Sequence, residues 1–205
     1  MVLAITQSLF QYGKQKVPSA LFAPLIVLMA MISVAEQAKA QVIFDPAVTY
    51  TRSKFTDDTG TTGNSDTKTM LLDLKGAYLF TAQGIYVGAL YKYADSTFTG
   101  GDLKGYELGP TVGWTSNGWS VSGTYFFLGE RKTTIGGTET KFTEPKGLQV
   151  DLAYTHMFTP SFGFGPQLTY RNVTYDKSQV GGAGSTSAKL AEESLTPYFA
   201  FHFQF

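Results

Sequence analysis

Two histidines, His156 and His202, are the only side chains in this 205-residue sequence whose ordinary titration suits them to act as a base near neutral pH. There is no cysteine, which excludes thiol nucleophiles, disulfides and Cys-based zinc or redox sites. A hydrolytic centre needs its base within hydrogen-bond reach of a nucleophile. Thr155 and Ser161 are the hydroxyls near His156, and neither is a persuasive partner. His202 sits in the final run YFAFHFQF, where a satisfied interior histidine is the simpler reading. The run DDTGTTGNSD carries Asp57, Asp58 and Asp66, but its spacing does not match an EF-hand, and a solvated loop explains it. No catalytic residue, metal site or cofactor is assigned, and the sequence reads as a protein without enzymatic activity.

The remaining chemistry is charge, and its placement depends on the elements around it. After residue 41 no stretch keeps a 3.6-residue period. Segments of roughly 10 to 13 residues alternate instead with period two, the mark of strands with one apolar face. They cover 42–52, 68–80, 85–94, 105–115, 119–131, 147–158, 162–175 and 193–205. The connections TAQG, SNG and TPS are short turns, whereas the other four are long and rich in Thr, Gly, Ser and Asp. Eight strands with short turns at one end and long loops at the other predict an up-and-down antiparallel meander.

Alternation places Asp45, Asp73, Lys75, Lys92, Glu107, Glu130, Asp151 and Arg171 on the face opposite the large apolar residues. Of these, Asp73, Lys75, Lys92, Glu107, Asp151 and Arg171 fall near mid-strand, where opposite charges would neutralise one another. Buried charges are too costly to keep otherwise. Arg52, Lys54, Lys68, Arg131, Lys132 and Lys146 are read as a ring at the long-loop rim, interleaved with acids. Pro46, Pro110, Pro166 and Pro197 lie inside strands, where bulges or projecting strand ends are needed to accommodate them.

The apolar face carries its large aromatics at the strand ends. Phe80, Trp114, Trp119, Phe158 and Phe162 lie near the short turns, and Tyr50, Tyr91, Tyr106, Tyr125 and Tyr170 near the long loops. Two aromatic girdles around a band of Val, Leu, Ala and Gly suit a surface that crosses a lipid bilayer. A ligand cavity in a soluble barrel has no reason to sort aromatics by depth. Charged residues make up 16%, against roughly 25% in soluble domains. The net charge of zero argues against nucleic acid as a partner. Residues 17–35 carry no charge, follow Lys14 and Lys16, and precede Ala38-Lys39-Ala40. This predicts a signal peptide over 1–40, cleaved after Ala40, and a mature barrel over 41–205.

Signal peptide, eight amphipathic strands and a last strand ending in phenylalanine resemble the small outer-membrane barrels typified by OmpX, the OmpA transmembrane domain and OmpW. The resemblance is architectural and covers 41–205. It implies an all-β, eight-stranded antiparallel up-and-down transmembrane β-barrel, with short periplasmic turns, long extracellular loops and both mature termini periplasmic in a Gram-negative outer membrane. Phe199, Phe201, Phe203 and Phe205 resemble the family's C-terminal assembly signal, which implies the barrel-assembly machinery and periplasmic chaperones as partners during biogenesis. Outer-membrane lipids and lipopolysaccharide are the expected surroundings, and the loops could meet a further partner. The leading functional reading is a structural or surface-interaction role with a charge-plugged interior, since eight strands enclose only their own side chains. Behind it stand a small OmpW-like channel for ions or hydrophobic compounds, and a lipid-modifying enzyme such as the lipid A deacylases with their Ser/His/Glu constellation.

Overall fold

The computed structural model describes residues 41–55, 65–80, 84–181 and 190–205. The expected signal peptide and the carboxylates Asp57 and Asp58 lie outside them. Eight strands follow in order: β1 (Gln41–Phe55), β2 (Ser65–Phe80), β3 (Ile85–Phe98) and β4 (Gly101–Ser116), then β5, formed by Trp119–Phe126 and Leu128–Ile135. β6 is formed by Thr138–Tyr154 and His156–Thr159, followed by β7 (Phe162–Val180) and β8 (Leu190–Gln204). Each strand pairs antiparallel with its neighbour in sequence, and β1 pairs with β8, so the sheet closes into an eight-stranded up-and-down barrel.

Side chains alternate across the wall as the period-two pattern requires. Along β7, Gln167, Thr169, Arg171, Val173 and Tyr175 are buried in the lumen while the residues between them face out. The exterior exposes Val87, Val112, Leu148, Val150, Leu152 and Leu168, and the interior buries Asp73, Lys75, Lys92, Glu107, Asp151 and Arg171. That distribution is inverted relative to a water-soluble barrel. It is the surface of a barrel that spans a bilayer.

Two of the long connections are shorter than composition suggested. β3 and β4 stay paired to Phe98↔Gly101, and β5 and β6 to Ile135↔Thr138, so Thr99-Gly100 and Gly136-Gly137 alone make the turns. The Thr-rich flanks KTTI and TETKF are good strand formers. Gly136 and Gly137 supply the two left-handed conformations (φ 56° and 81°) that a tight hairpin turn demands. At the other end Asn117 and Gly118 (φ 50° and 82°) do the same.

The four prolines expected inside strands share one structural signature, and Pro145 is a fifth strand proline, within Thr138–Tyr154. Proline offers no N–H, so one of its two ladders must lose a bond. Pro46 falls where β1–β8 pairing steps from Phe44↔Phe203 to Ala47↔Ala200. Pro110 falls between the two stretches of β4–β5 pairing, opposite the break in β5. Pro166 lies opposite the break in β6 at Thr155. Pro197 lies beyond Val48↔Phe199, where β1–β8 pairing stops among the described residues. Interrupted ladders, in place of free edges, accommodate all four.

The break in β5 changes which side chains enter the lumen. Between Thr111↔Thr124 and Leu108↔Leu128, three steps of β4 are matched by four of β5, so one extra residue is inserted as a β-bulge. Phe127 and Leu128 both face out, and the N–H of Phe127 donates to the Leu108 carbonyl. Beyond the bulge the phase is reversed. Glu130, expected inside, points outward and pairs with Lys141. Arg131, expected on the outer rim, is 5% exposed and lies inside the barrel. On β6 the left-handed Glu144 (φ 59°) accompanies the same switch, bringing Phe142 against the cluster of Leu90, Phe126, Val173 and Tyr175.

Candidate functional site

The lumen is where the strands bring their ionisable groups together, in three tiers. In the tier nearest the long-loop end, Glu107 of β4 accepts hydrogen bonds from Arg171 Nη2 (2.5 Å) and Nε (3.3 Å) and from the Tyr175 hydroxyl, with Arg131 Nη2 3.5 Å away. Glu192 of β8 pairs with both Arg131 and Arg171. The Arg131 guanidinium lies 5.8 Å from the centre of the Tyr175 ring. Two arginines and two glutamates from four strands therefore cross the lumen as one cluster. Alternation without the bulge missed Arg131, and nothing in the sequence short of the Phe127-Leu128 apolar pair marks the phase change.

In the middle tier Lys92 donates to Asp73 (2.8 Å) and to the Tyr198 hydroxyl (2.6 Å). The Gln149 amide nitrogen bridges two carboxylates, donating to Asp73 (2.8 Å) and Asp151 (2.9 Å). Ser122 and Thr169 also donate to Asp151, and Gln167 donates to Thr169. Neutral donors thus do for Asp151 what Lys92 does for Asp73. Near the short turns Asp45 binds Lys75 (3.3 Å) and His202 (2.7 Å), and Lys75 reaches the Tyr86 hydroxyl at 3.4 Å. A cavity of about 180 Å³ adjoins this tier, lined by Asp45, Lys75, Tyr86, Gln167 and His202 among others. It is too small for a drug-sized ligand, whose pockets begin near ~300 Å³.

The histidines are separated by the wall. His156 lies on the outer surface, edge-on to Phe158 at 4.8 Å. His202 lies inside, its Nδ1 against Asp45 and its Nε2 against the Gln204 side-chain oxygen at 3.5 Å. Neither partner is a nucleophile, so the ring is held and not poised to activate a hydroxyl. Among the described residues no group of three or more histidines and carboxylates could hold a metal ion.

Outside, Tyr50, Tyr106, Tyr125, Tyr170, Phe80, Trp114, Trp119 and Phe158 are exposed, and Tyr91 and Phe162 half-buried. Tyr91 stacks on Tyr106 (6.2 Å), and Trp119 leans on Tyr154 (5.1 Å). The aromatic run of β8 packs sideways along the wall. Phe199 lies 5.2 Å from Phe164 and 5.1 Å from Phe201, and Phe203 lies 5.2 Å from Phe162. Phe205 and Val42 exchange backbone hydrogen bonds in both directions. On the outer hairpins Lys104, Lys132, Lys141, Lys146 and Lys177 each have a carboxylate partner. The hydrogen bond from Lys141 to Glu130 holds that ammonium above its ordinary pKa.

No family model matches the chain, and no curated protein matches it in sequence. Among solved structures it is similar to Neisserial surface protein A, at 14% identity and a TM-score of 0.47, over 80% of this chain and 97% of that one. It is also similar to the outer membrane protein OprG from Pseudomonas aeruginosa, at 16% identity and a TM-score of 0.45, over 81% and 96%. The β domain of the Bordetella autotransporter BrkA gives 12% identity and a TM-score of 0.40, over 81% and 99%. The likeness is one of architecture.

Proposed function

We propose that the protein is an integral outer-membrane barrel with a closed interior, which holds the outer hairpins in place as a surface for interaction. The observation that carries this reading is the cluster of Glu107, Arg131, Arg171, Glu192 and Tyr175, which joins strands on opposite sides of the lumen. An ion crossing the barrel would have to break these largely buried ion pairs, and a buried charge is costly to leave without its partner. The apolar exterior and its aromatics supply the lipid contact, and the Phe199–Phe205 run serves assembly. Lys104, Lys132, Lys141, Lys146 and Lys177 already pair with carboxylates, so the hairpins act as presented surfaces before they act as clamps for lipopolysaccharide phosphates.

Planar-bilayer recording tests this reading, on protein recovered from membranes and shown to be folded by its heat-modifiable gel mobility. A silent bilayer is the expected result. Steady conductance steps that change when Arg171 is neutralised would replace the closed scaffold with a charge-lined channel.

A further inference from the structure

The seam that closes the barrel, between β1 and β8, is its least continuous ladder. Register pairs run through Ile43↔Gln204 and Phe44↔Phe203, skip Asp45 and Pro46 opposite Phe201 and His202, and resume at Ala47↔Ala200 and Val48↔Phe199. Above that point, among the described residues, β1 continues to Phe55 paired with β2 alone, and β8 continues to Leu190 paired with β7 alone. By contrast, β1 and β2 pair at every residue from Gln41↔Leu79 to Phe55↔Ser65. At the skipped step a side-chain contact spans the seam: His202 Nδ1 lies 2.7 Å from Asp45 Oδ1.

Two independent observations give the charge on that ring. The first is local. Gln204 donates its amide nitrogen to the Gln41 side-chain oxygen, which turns its own oxygen toward His202 Nε2. Both ring nitrogens therefore face acceptors, a carboxylate and an amide oxygen, an arrangement that a doubly protonated ring satisfies. The second is the balance of the whole lumen. Asp45, Asp73, Glu107, Asp151 and Glu192 are set against Lys75, Lys92, Arg131 and Arg171, leaving one carboxylate in excess among the described residues. An imidazolium at position 202 restores neutrality, which a low-dielectric interior strongly favours.

We propose that the β1–β8 seam is a proton-dependent closure, in which charged His202 clamps β8 to Asp45 of β1 where the backbone ladder is interrupted. Loss of the ring proton removes the ion pair and leaves the lumen with an unbalanced carboxylate beside the small cavity. The charged or titratable groups facing the ring are Asp45 on β1, Lys75 on β2 and Tyr86 on β3. The walls of β4 to β7 there offer only uncharged groups such as Thr115, Ser120, Thr155 and Gln167. Among the side chains that face the ring, raising the pH through the imidazole range therefore acts on this contact. Since no ladder pair joins the described residues above Val48↔Phe199, loosening the lower seam opens the wall between β1 and β8 along its height.

The test uses membrane-recovered protein reconstituted in phosphatidylcholine vesicles. Amide hydrogen exchange of 43–48 and 199–204 is read as a ratio to the uninterrupted β3–β4 ladder, which cancels the intrinsic effect of pH. Between about pH 5.5 and about pH 8.5 the seam ratio should rise roughly fivefold or more. The imidazole nitrogens of His202 should both be protonated at the lower pH in a ¹⁵N spectrum. His202→Gln should exchange fast at both pH values with no step, and His156→Gln should keep the wild-type step. An unchanged seam ratio in the wild-type protein, a neutral ring at the lower pH, or a step that survives in His202→Gln each overturns the proposal. The wild-type comparison decides even where a variant fails to fold, and exchange reads the seam whether or not the lumen conducts.

Discussion

Arg171 and Glu107 meet in the lumen fork on fork, Nη2 donating to Oε1 at 2.5 Å and Nε to Oε2 at 3.3 Å. Both side chains are almost wholly buried. A pair of this kind stabilises the fold chiefly through what happens when one half is lost. Removing one partner of a buried pair costs about 3–5 kcal/mol, because the other charge stays behind without water. Glu107→Gln should fall at the lower end of that range, since Glu192 still faces both arginines. The double variant Glu107→Gln/Arg171→Met should lose less than the sum of the single variants. Urea unfolding in lipid vesicles, followed by the mobility shift of the folded barrel, gives the three values. Additive losses would show that the pair is not coupled.

The bulge at Phe127 makes a prediction at two adjacent residues. Arg131 is inside and almost fully buried, whereas Lys132 is only half-buried and pairs with Glu139 at 3.6 Å. Arg131→Ala leaves Glu107 and Glu192 short of a donor and should destabilise the barrel by about 2–3 kcal/mol. Lys132→Ala should stay within about 0.5 kcal/mol of wild type. Cysteine placed at 132 should react with a membrane-impermeant maleimide, and cysteine at 131 should be protected. The opposite labelling pattern would restore the unbroken alternation and remove the bulge.

The facing of Arg131 also marks how far the sequence could be read. Strand number, the meander and the apolar exterior follow from period-two alternation, because a pleated strand sends successive side chains to opposite faces wherever it is continuous. The placement of Asp73, Lys92, Glu107, Asp151 and Arg171 in the lumen follows from the same rule. Alternation fails where the ladder slips by one residue, as at Phe127, since the extra residue leaves no trace beyond the Phe127-Leu128 pair and inverts the positions after it on that strand. The hairpin arms around Gly136-Gly137 were hidden for a different reason. Their Thr, Lys and Glu residues are equally at home in a solvated loop, and pairing with β4 and β7 makes them strand. The clamp between His202 and Asp45 joins residues at opposite ends of the chain, and only barrel closure brings them together.

The protruding β5–β6 hairpin should be separable from the barrel. Replacing 133–140 by an Asn-Gly turn removes the hairpin pairs beyond Lys132↔Lys141 and the pairs that these residues make with 101–103 of β4 and Val180 of β7, all on the far side of the buried cluster from the short turns. Surface connections tolerate such shortening, so the unfolding midpoint should move by no more than the equivalent of about 1 kcal/mol. Any surface interaction carried by this hairpin should disappear with it. Loss of the folded gel form would mean that the hairpin belongs to the barrel's own stability, and the scaffold reading would fail at that point.

Val150 and Gly123 are cross-strand partners on the outer wall, and together they test which solvent that wall meets. Val150 is 44% exposed, and a Cβ added at Gly123 would have nothing within 4 Å. In water an arginine at position 150 would be almost neutral, as surface substitutions usually are. In hydrocarbon its guanidinium has no partner and must reach for the interface, at a cost of about 2–4 kcal/mol near the midplane. Val150→Arg should therefore lower the unfolding free energy by that amount in vesicles, while Gly123→Ala changes it little. Arginine moved outward along the same face to Leu148, nearer the β5–β6 hairpin, should cost less. A flat response at both positions would put water, and not lipid, against this face.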